Sequence, residues 1–340
     1  MIPPLHLRLS TAEKTQLAGL SLAETLYKYP TTIFLTGEVG AGKTTFMQGF
    51  AEALGITEPL TSPTYALEQR YETRKGAPLF HLDLYRLKEQ DAAILVQSTE
   101  EQHAIRCIEW SDRLPKNMQD TYAIHLHFEE DGDGRLLTVH WNDGSLPTDA
   151  QIDQWRSTVL LPAHIILHCE AVARIAGLCA DLLIERGHII RKDAVVAAGR
   201  LHDLLRFVDF HGATAAPEHF VETDRAQKIW NEWRTKYAQQ KHETACADFL
   251  LEQGFPLVSA IVRTHGLRSP LPPMDTIEQK ILFYADKRCM IDRSVTVDER
   301  FADFQVRYTH GQKSQDQDVW YGFTKQIEQE LFPDGPPSFS

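Results

Sequence analysis

A chain of 340 residues with 43% hydrophobic content is long enough for two ordinary cores. No apolar run approaches membrane-spanning length, and a net charge of −12 with a pI of about 5.7 argues against direct binding of nucleic-acid phosphates. Five dispersed cysteines (Cys107, Cys169, Cys179, Cys246, Cys289) read as reduced thiols, and Met1-Ile2-Pro3-Pro4 lacks a signal-peptide layout, so a cytoplasmic protein without a membrane role is expected.

In chain order, Ser10 and Glu13 fit a capping box that opens an amphipathic helix to about Tyr27. Thr31–Thr36 is a short apolar strand, and Thr44–Leu54 a helix closed near Gly55. Tyr65–Tyr71, Leu79–Asp83 and Ile105–Glu109 read as further strands. Tyr122–Glu129 and Leu136–Trp141 flank the turn signal Asp131-Gly132-Asp133-Gly134 and predict a hairpin at the sheet edge. Turn chemistry from Gly144 to Pro162 predicts a linker, which divides the chain into residues 1–143, a linker at 144–162, a domain at 163–332 and a tail at 333–340. Beyond it the pattern turns helical, over Ala163–Arg186, Asp193–Phe207, Thr223–Gly254, Pro256–Thr264, Thr276–Cys289 and Val319–Phe332. Alternating strands and helices followed by helices alone predict an α/β domain and then an all-α bundle.

Between the strand at Thr31 and the helix at Thr44 runs Gly37-Glu38-Val39-Gly40-Ala41-Gly42-Lys43-Thr44-Thr45. Strand, glycine-rich loop and helix in that order are the context of a nucleotide phosphate loop. Its glycines let several backbone N–H groups face one phosphate chain, and the helix adds the positive end of its dipole. Lys43 reaches the terminal phosphates and Thr44 can ligate Mg²⁺. Thr61-Ser62-Pro63-Thr64-Tyr65, His81-Leu82-Asp83-Leu84-Tyr85-Arg86 and Ile108-Glu109-Trp110 follow at successive element ends. Singly, Asp83 and Glu109 are equally well read as solvated strand-end acids.

Those four motifs, over about Leu9–Trp141, resemble the TsaE family, the small P-loop ATPase of tRNA threonylcarbamoyladenosine synthesis. The resemblance implies ATP with Mg²⁺ as cofactor, held by Glu38 to Thr45. It makes Ser62 and Thr64 part of a nucleotide-responsive loop, gives Asp83 and Glu109 the Mg²⁺ and the attacking water, and sets Trp110 beside the site. It also implies a TsaD-type partner with its TsaB-type companion, and tRNA met only indirectly. The stretch from Lys88 to His103 matches the family less well.

The second half contributes a spaced set of metal-ligand types: His168, the doublet His202-Asp203, His242, His265 and Asp286. Helices of a bundle must converge to make one site of them. Over about Ala163–Tyr308 the set resembles the HD-domain phosphohydrolases, and its two additional histidines resemble the dinuclear, YqeK-like branch. By that resemblance His168, His202, Asp203 and Asp286 hold one metal, His242 and His265 a second, and Asp203 bridges. Two metals roughly 3.5–4 Å apart activate water and clamp a phosphate oxygen. Imidazole mixed with carboxylate suits Fe, Mn, Co or Zn, with Fe first by resemblance. His164, one turn before His168, is read as structural or supporting, and His211, His219 and His310 as surface residues among the 15 histidines. Arg206, four residues after His202, is expected on the same helix face to steady a phosphate. The long segment from Asp209 to Gln240 is read as a lid or part of the substrate pocket.

The expectation is a bifunctional enzyme: a Mg-ATPase and a dimetal hydrolase of a nucleotide substrate. The activated threonylcarbamoyl-adenylate or AMP is the favoured substrate and diadenosine tetraphosphate the alternative. A nucleotide-sensing regulatory module is the reading of a different class.

Overall fold

The computed structural model describes residues 2–27, 31–74, 76–100, 103–119, 122–209, 223–309 and 315–339. The chain divides into two compact units. One comprises Met1–Ser145 with Leu182–Arg191 and Asp275–Ile277; the other comprises Leu146–Asp181, Lys192–Met274 and Glu278–Ser340.

The first unit contains β1 (Leu5–Leu9), α1 (Ala12–Ala23), β2 (Thr31–Thr36), α2 (Lys43–Ala53), β3 (Glu68–Tyr71) and β4 (Leu79–Asp83). It continues through α3 (Glu89–Gln97), β5 (Ile105–Glu109), α4 (Lys116–Gln119), β6 (Ile124–Asp131) and β7 (Gly134–Trp141). The strands form one sheet in the order β1-β7-β6-β2-β5-β4-β3. Its centre, β6-β2-β5-β4, is parallel. β4 is buried along its whole length and β2 at its four inner residues, as befits strands covered on both faces. Asp83 and Glu109 end neighbouring strands and are paired in register, so both carboxylates emerge at the edge where the glycine-rich loop leaves β2.

The expected hairpin forms as β6–β7, but β7 is not the edge. β1 pairs antiparallel with it, Leu5 opposite Val139. Strict alternation in Leu5-His6-Leu7-Arg8-Leu9 encodes that strand, with Leu7 and Leu9 buried. The first helix is capped by Thr11, whose side chain accepts from the Lys14 N–H, rather than by Ser10. The stretch from Lys88, legible only as a poor match, holds α3, whose Ala92 and Val96 join the core around Phe34, Leu82 and Ile108.

From α5 (Asp149–Thr158) onward the chain is mostly helical: α6 (Ala163–Glu185), α7 (Lys192–Leu201), α8 (Asp224–Lys236), α9 (His242–Glu252), α10 (Pro256–Val262) and α11 (Ile277–Lys287). A small ribbon of β8 (Cys289–Met290) and β9 (Arg293–Ser294) precedes α12 (Val297–Thr309) and α13 (Gln315–Leu331). The stretch expected as a linker contains α5, opened by a capping box of Thr148 and Gln151. The expected helix from Thr223 to Gly254 is two helices, parted where Gln239 takes a left-handed conformation with φ of 67°. α12 was not expected.

Candidate active sites

In the first unit, β2 feeds a loop that turns on Gly37, Gly40 and Gly42, each with positive φ (133°, 83° and 103°). At Gly37 a Cβ would come within 2.4 Å of the Phe128 carbonyl oxygen, so the loop can leave the sheet there only as glycine. Val39 is exposed at the tip, and Thr44 and Thr45 are half-buried in the first turn of α2. Lys43 folds back under the loop, donating to the carbonyls of Gly37 (2.7 Å) and Glu38 (3.1 Å). Its ammonium lies 4.3 Å from the centre of the Trp110 ring. Burial pushes its pKa down, while Glu109, Asp83, Asp112 and Glu38 oppose that shift.

Both carboxylates are buried and individually held. Asp83 accepts from Thr64 Oγ1 (2.6 Å), Ser62 Oγ (3.2 Å) and the Tyr85 N–H (2.8 Å). The hydroxyl oxygens of Ser62 and Thr64 lie 2.7 Å apart, so the two protons are shared among them and Asp83. Glu109 Oε1 accepts from His81 Nε2 at 2.8 Å, with neither side chain open to solvent. Sequence reading assigns His81 no role; its position two residues before Asp83 places it on the same face of β4, though that spacing does not by itself set it against Glu109. On the other side of the loop, a cavity of about 170 Å³ is lined by Thr11, Thr15, Gly40, Thr45 and Arg135 among others, and Arg135 donates to the Gly40 carbonyl at 3.2 Å.

In the second unit, α6 carries His168, the turn after α7 carries His202 and Asp203, His242 opens α9, His265 follows α10, and Asp286 lies near the end of α11. α7 crosses α6 closely, since a Cβ on Gly199 would lie 2.6 Å from the Ala173 Cα; this close crossing brings His202 to His168, their rings 5.3 Å apart.

The four histidines share one design. Each Nδ1 faces an acceptor on the outside: Ile291 O for His168 (3.0 Å), Gly199 O for His202 (2.8 Å), Val262 O for His265 (2.6 Å) and Asp209 Oδ2 for His242 (2.6 Å). A proton committed to Nδ1 leaves the Nε2 lone pair for the interior. The Nε2 atoms do converge. That of His242 lies 3.2 Å from that of His265 and 3.0 Å from Asp203 Oδ1, which is 3.7 Å from His265 Nε2. His168 Nε2 meets Asp286 Oδ1 at 3.1 Å. His202 Nε2 lies 3.9 Å from both Asp203 Oδ2 and Asp286 Oδ1, and is buried with no hydrogen-bond partner among the described residues. An oriented, unpaired imidazole nitrogen between two carboxylates fits a divalent transition metal. The two oxygens of Asp203 face different histidines, as a bridging ligand requires.

Charge follows the same plan. Burial works against ionising Asp203, yet Arg206 and His242 hold its pKa well below the usual range. Asp286 is likewise kept low against burial by Lys287 and His168. Burial drives His202 down to about 3, so that ring is neutral. Burial also opposes charge on His168, but Asp286 and Cys289 hold it up at about 10, so this ring keeps a proton on Nε2, toward Asp286, that a metal would have to displace.

Arg206 departs from expectation. α7 ends at Leu201, so Arg206 is not on the helix face of His202; it opens a 3-10 turn, Arg206–Asp209. Its guanidinium lies against the His242 ring, 2.8 and 2.9 Å from the two nitrogens. Asp209, which sequence reasoning left unassigned, groups with His242 and Glu243 as a third set of neighbouring ligand types. The turn is held by α8: Trp230, fully buried, stacks on Phe207 at 5.1 Å, and Arg234 donates to the Phe207 carbonyl. His164 is half-buried and belongs to none of the three ligand groups. His211, His219, His310 and residues 210–222 of the expected lid lie outside the described residues. The cluster opens into a cavity of about 380 Å³.

A glycine-rich loop at the parallel centre of a mixed sheet and a histidine–aspartate cluster among helices make two candidate sites in one chain, each within its own unit. A family model described as threonylcarbamoyl adenosine biosynthesis protein TsaE matches residues 9–137, and one described as HD domain matches residues 165–291. The chain is 40% identical over 139 residues to a tRNA threonylcarbamoyladenosine biosynthesis protein TsaE of Nostoc sp. (strain PCC 7120), covering 39% of this chain and 85% of the relative. With the protein of that description from Mycobacterium tuberculosis (strain H37Rv) it shares 30% identity over 143 residues, covering 39% and 84%. The crystal structure of Bacillus subtilis YdiB is similar at 30% identity with a TM-score of 0.32, covering 41% of this chain and 86% of that one. The chain belongs to the TsaE family through its first unit, and joins to it an HD domain.

Proposed function

We propose that the chain is a bifunctional enzyme, with a Mg-ATPase that serves tRNA threonylcarbamoyladenosine modification in the cytoplasm and a dimetal hydrolase that cleaves a phosphate ester or anhydride of an adenine nucleotide. The hydrolase reading is carried by one observation: four imidazoles with Nδ1 committed outward and Nε2 directed onto Asp203 and Asp286. His168, His202 and Asp286 would hold one metal, His242 and His265 the other, and Asp203 both. Iron is the first choice, then Mn, Co or Zn. When bound, the metals would polarise a phosphate oxygen and lower the pKa of water. Arg206 and Lys241, which line the same cavity, would offset charge on the phosphate.

In the first unit, Lys43 and the loop amides would cradle the ATP phosphates, Thr44 and Glu109 would serve Mg²⁺, and Asp83 with Glu109 would orient water. The cavity lined by Thr11 and Arg135 offers space for the nucleoside. Ser62 and Thr64, bonded to Asp83 beside an exposed Tyr65, form a segment suited to report the nucleotide state to a TsaD-type protein and its TsaB-type companion. That role needs no tRNA contact by this acidic chain.

The deciding experiment is metal analysis of the purified chain, then turnover of AMP, threonylcarbamoyl-adenylate and diadenosine tetraphosphate. About two transition metals per chain and hydrolysis of either adenylate are expected. A metal content near zero together with no turnover would leave a nucleotide-sensing module instead; a strong preference for diadenosine tetraphosphate would replace the substrate.

A further inference from the structure

The cavity beside the metal-ligand cluster is walled on one side by residues beyond the HD match, which ends at residue 291. Arg300 and Phe304 come from α12, Gln317 and Trp320 from α13, and the loop after His265 adds Arg268. This wall is built. Trp320 Nε1 donates to the Arg268 carbonyl at 3.3 Å and Ser269 donates to Asp316 at 2.8 Å, so the loop that follows His265 is tied to α13. Gln317 reaches the Phe304 carbonyl at 3.5 Å, tying α13 to α12.

The chemistry of the wall differs from that of the cluster. Among the described residues, the acids that line the cavity, Asp203, Asp209, Glu243 and Asp286, all belong to the ligand groups. The wall contributes cations and aromatic rings. Arg300 is 9% exposed, its guanidinium stacks 4.3 Å from the Phe304 ring centre, and one NH₂ group bonds Asp303 at 3.3 Å. Its Nε is buried and has no hydrogen-bond partner among the described residues. A buried donor left unspent is costly, and Asp303 engages only one NH₂ group of this guanidinium, which lines the cavity. Trp320, half-buried and anchored by its N–H, offers a ring to the cavity.

We propose that α12 and α13 form the specificity wall of the hydrolase, in which Trp320 stacks an aromatic base and Arg300 binds a phosphate oxygen of the same nucleotide. This assignment rests on the phosphohydrolase reading only for where the phosphate is cleaved; the binding it describes is measurable without turnover. The substrate class is therefore a nucleoside phosphate, and a sugar phosphate lacking the base would be a poor ligand. Base-on-aromatic stacking contributes about 1–3 kcal/mol, or roughly five- to 150-fold in affinity.

The test is equilibrium titration of the metal-loaded full chain, in a Lys43→Ala background that silences the first site, with AMP, ribose 5-phosphate and inorganic phosphate. AMP should bind about tenfold or more tighter than ribose 5-phosphate. Trp320→Ala should erase that preference and leave ribose 5-phosphate within about twofold. Arg300→Gln should weaken both ligands about tenfold, with Arg300→Lys recovering part of the loss. Metal content and circular dichroism of each variant establish folding, and the ligand preference of the unsubstituted wall stands even if a variant does not fold. Equal affinity for AMP and ribose 5-phosphate, or equal weakening of both by Trp320→Ala, would overturn the wall assignment while leaving phosphate-ester hydrolysis intact. Base-dependent binding without any hydrolysis would overturn the hydrolase reading and leave the wall standing.

Discussion

Lys43 is buried, bonded to its own loop and flanked by Trp110, so its substitution removes the cation at the base of the loop. Lys43→Ala should lower ATP turnover at least about 100-fold, read by phosphate release at saturating Mg²⁺. His81→Leu is subtler. It leaves Glu109 buried without the donor that orients it, so kcat should fall about tenfold while KM for ATP stays within about threefold. An equal change in both would point to loss of fold. In the second unit, Asp203→Ala removes the carboxylate whose two oxygens face different histidines. The metal content should fall from about two per chain to below one by elemental analysis. His188, which belongs to none of the candidate ligand groups, supplies a further pH effect. Burial, aided by Arg186, presses its pKa from 6.5 to about 4. The folded ring stays neutral where the unfolded one is protonated, so its stabilisation is complete above pH 6.5 and is lost as pH falls toward 4. His188→Gln should lower the midpoint of acid unfolding by about half a pH unit, followed by circular dichroism.

Among the elements, α8 is the clearest case of a helix that acts through packing. Its Trp230 stacks on Phe207 and donates to the Val159 carbonyl at 2.8 Å, which anchors the turn that bears Arg206 and Asp209. Trp230→Ala should cost about 3–5 kcal/mol in denaturant unfolding of the second unit. It should also lower hydrolase activity under folded conditions, because Asp209 holds Nδ1 of His242 from that turn. α5 plays a related part. Arg156, almost wholly buried, bonds Glu170 on α6 at 2.6 Å and the Arg200 carbonyl on α7 at 2.8 Å, so the segment read as a linker is joined to the helices that carry His168 and precede His202.

At the scale of the whole molecule, the residues of each candidate site lie within one unit. The activities should therefore separate: Lys43→Ala loses ATPase with full metal content, and Asp203→Ala loses metal with ATPase unchanged within about twofold. The α/β order and the glycine-rich loop were legible in the sequence as local patterns, a strand, glycines and a helix in register; the six candidate metal ligands, spread over more than a hundred residues, were legible only through their resemblance to the HD-domain order. Leu5–Leu9 was legible too, since its alternation is local. What only the tertiary structure decided is long-range. No spacing reveals that His81 holds Glu109, that Asp209 serves His242 where three other rings use backbone carbonyls, or that Arg300 and Trp320 wall the cavity. Those pairings span tens to more than a hundred residues, and they arise because sheet register and helix crossings, set by buried contacts, bring together side chains whose own neighbours in sequence say nothing of one another.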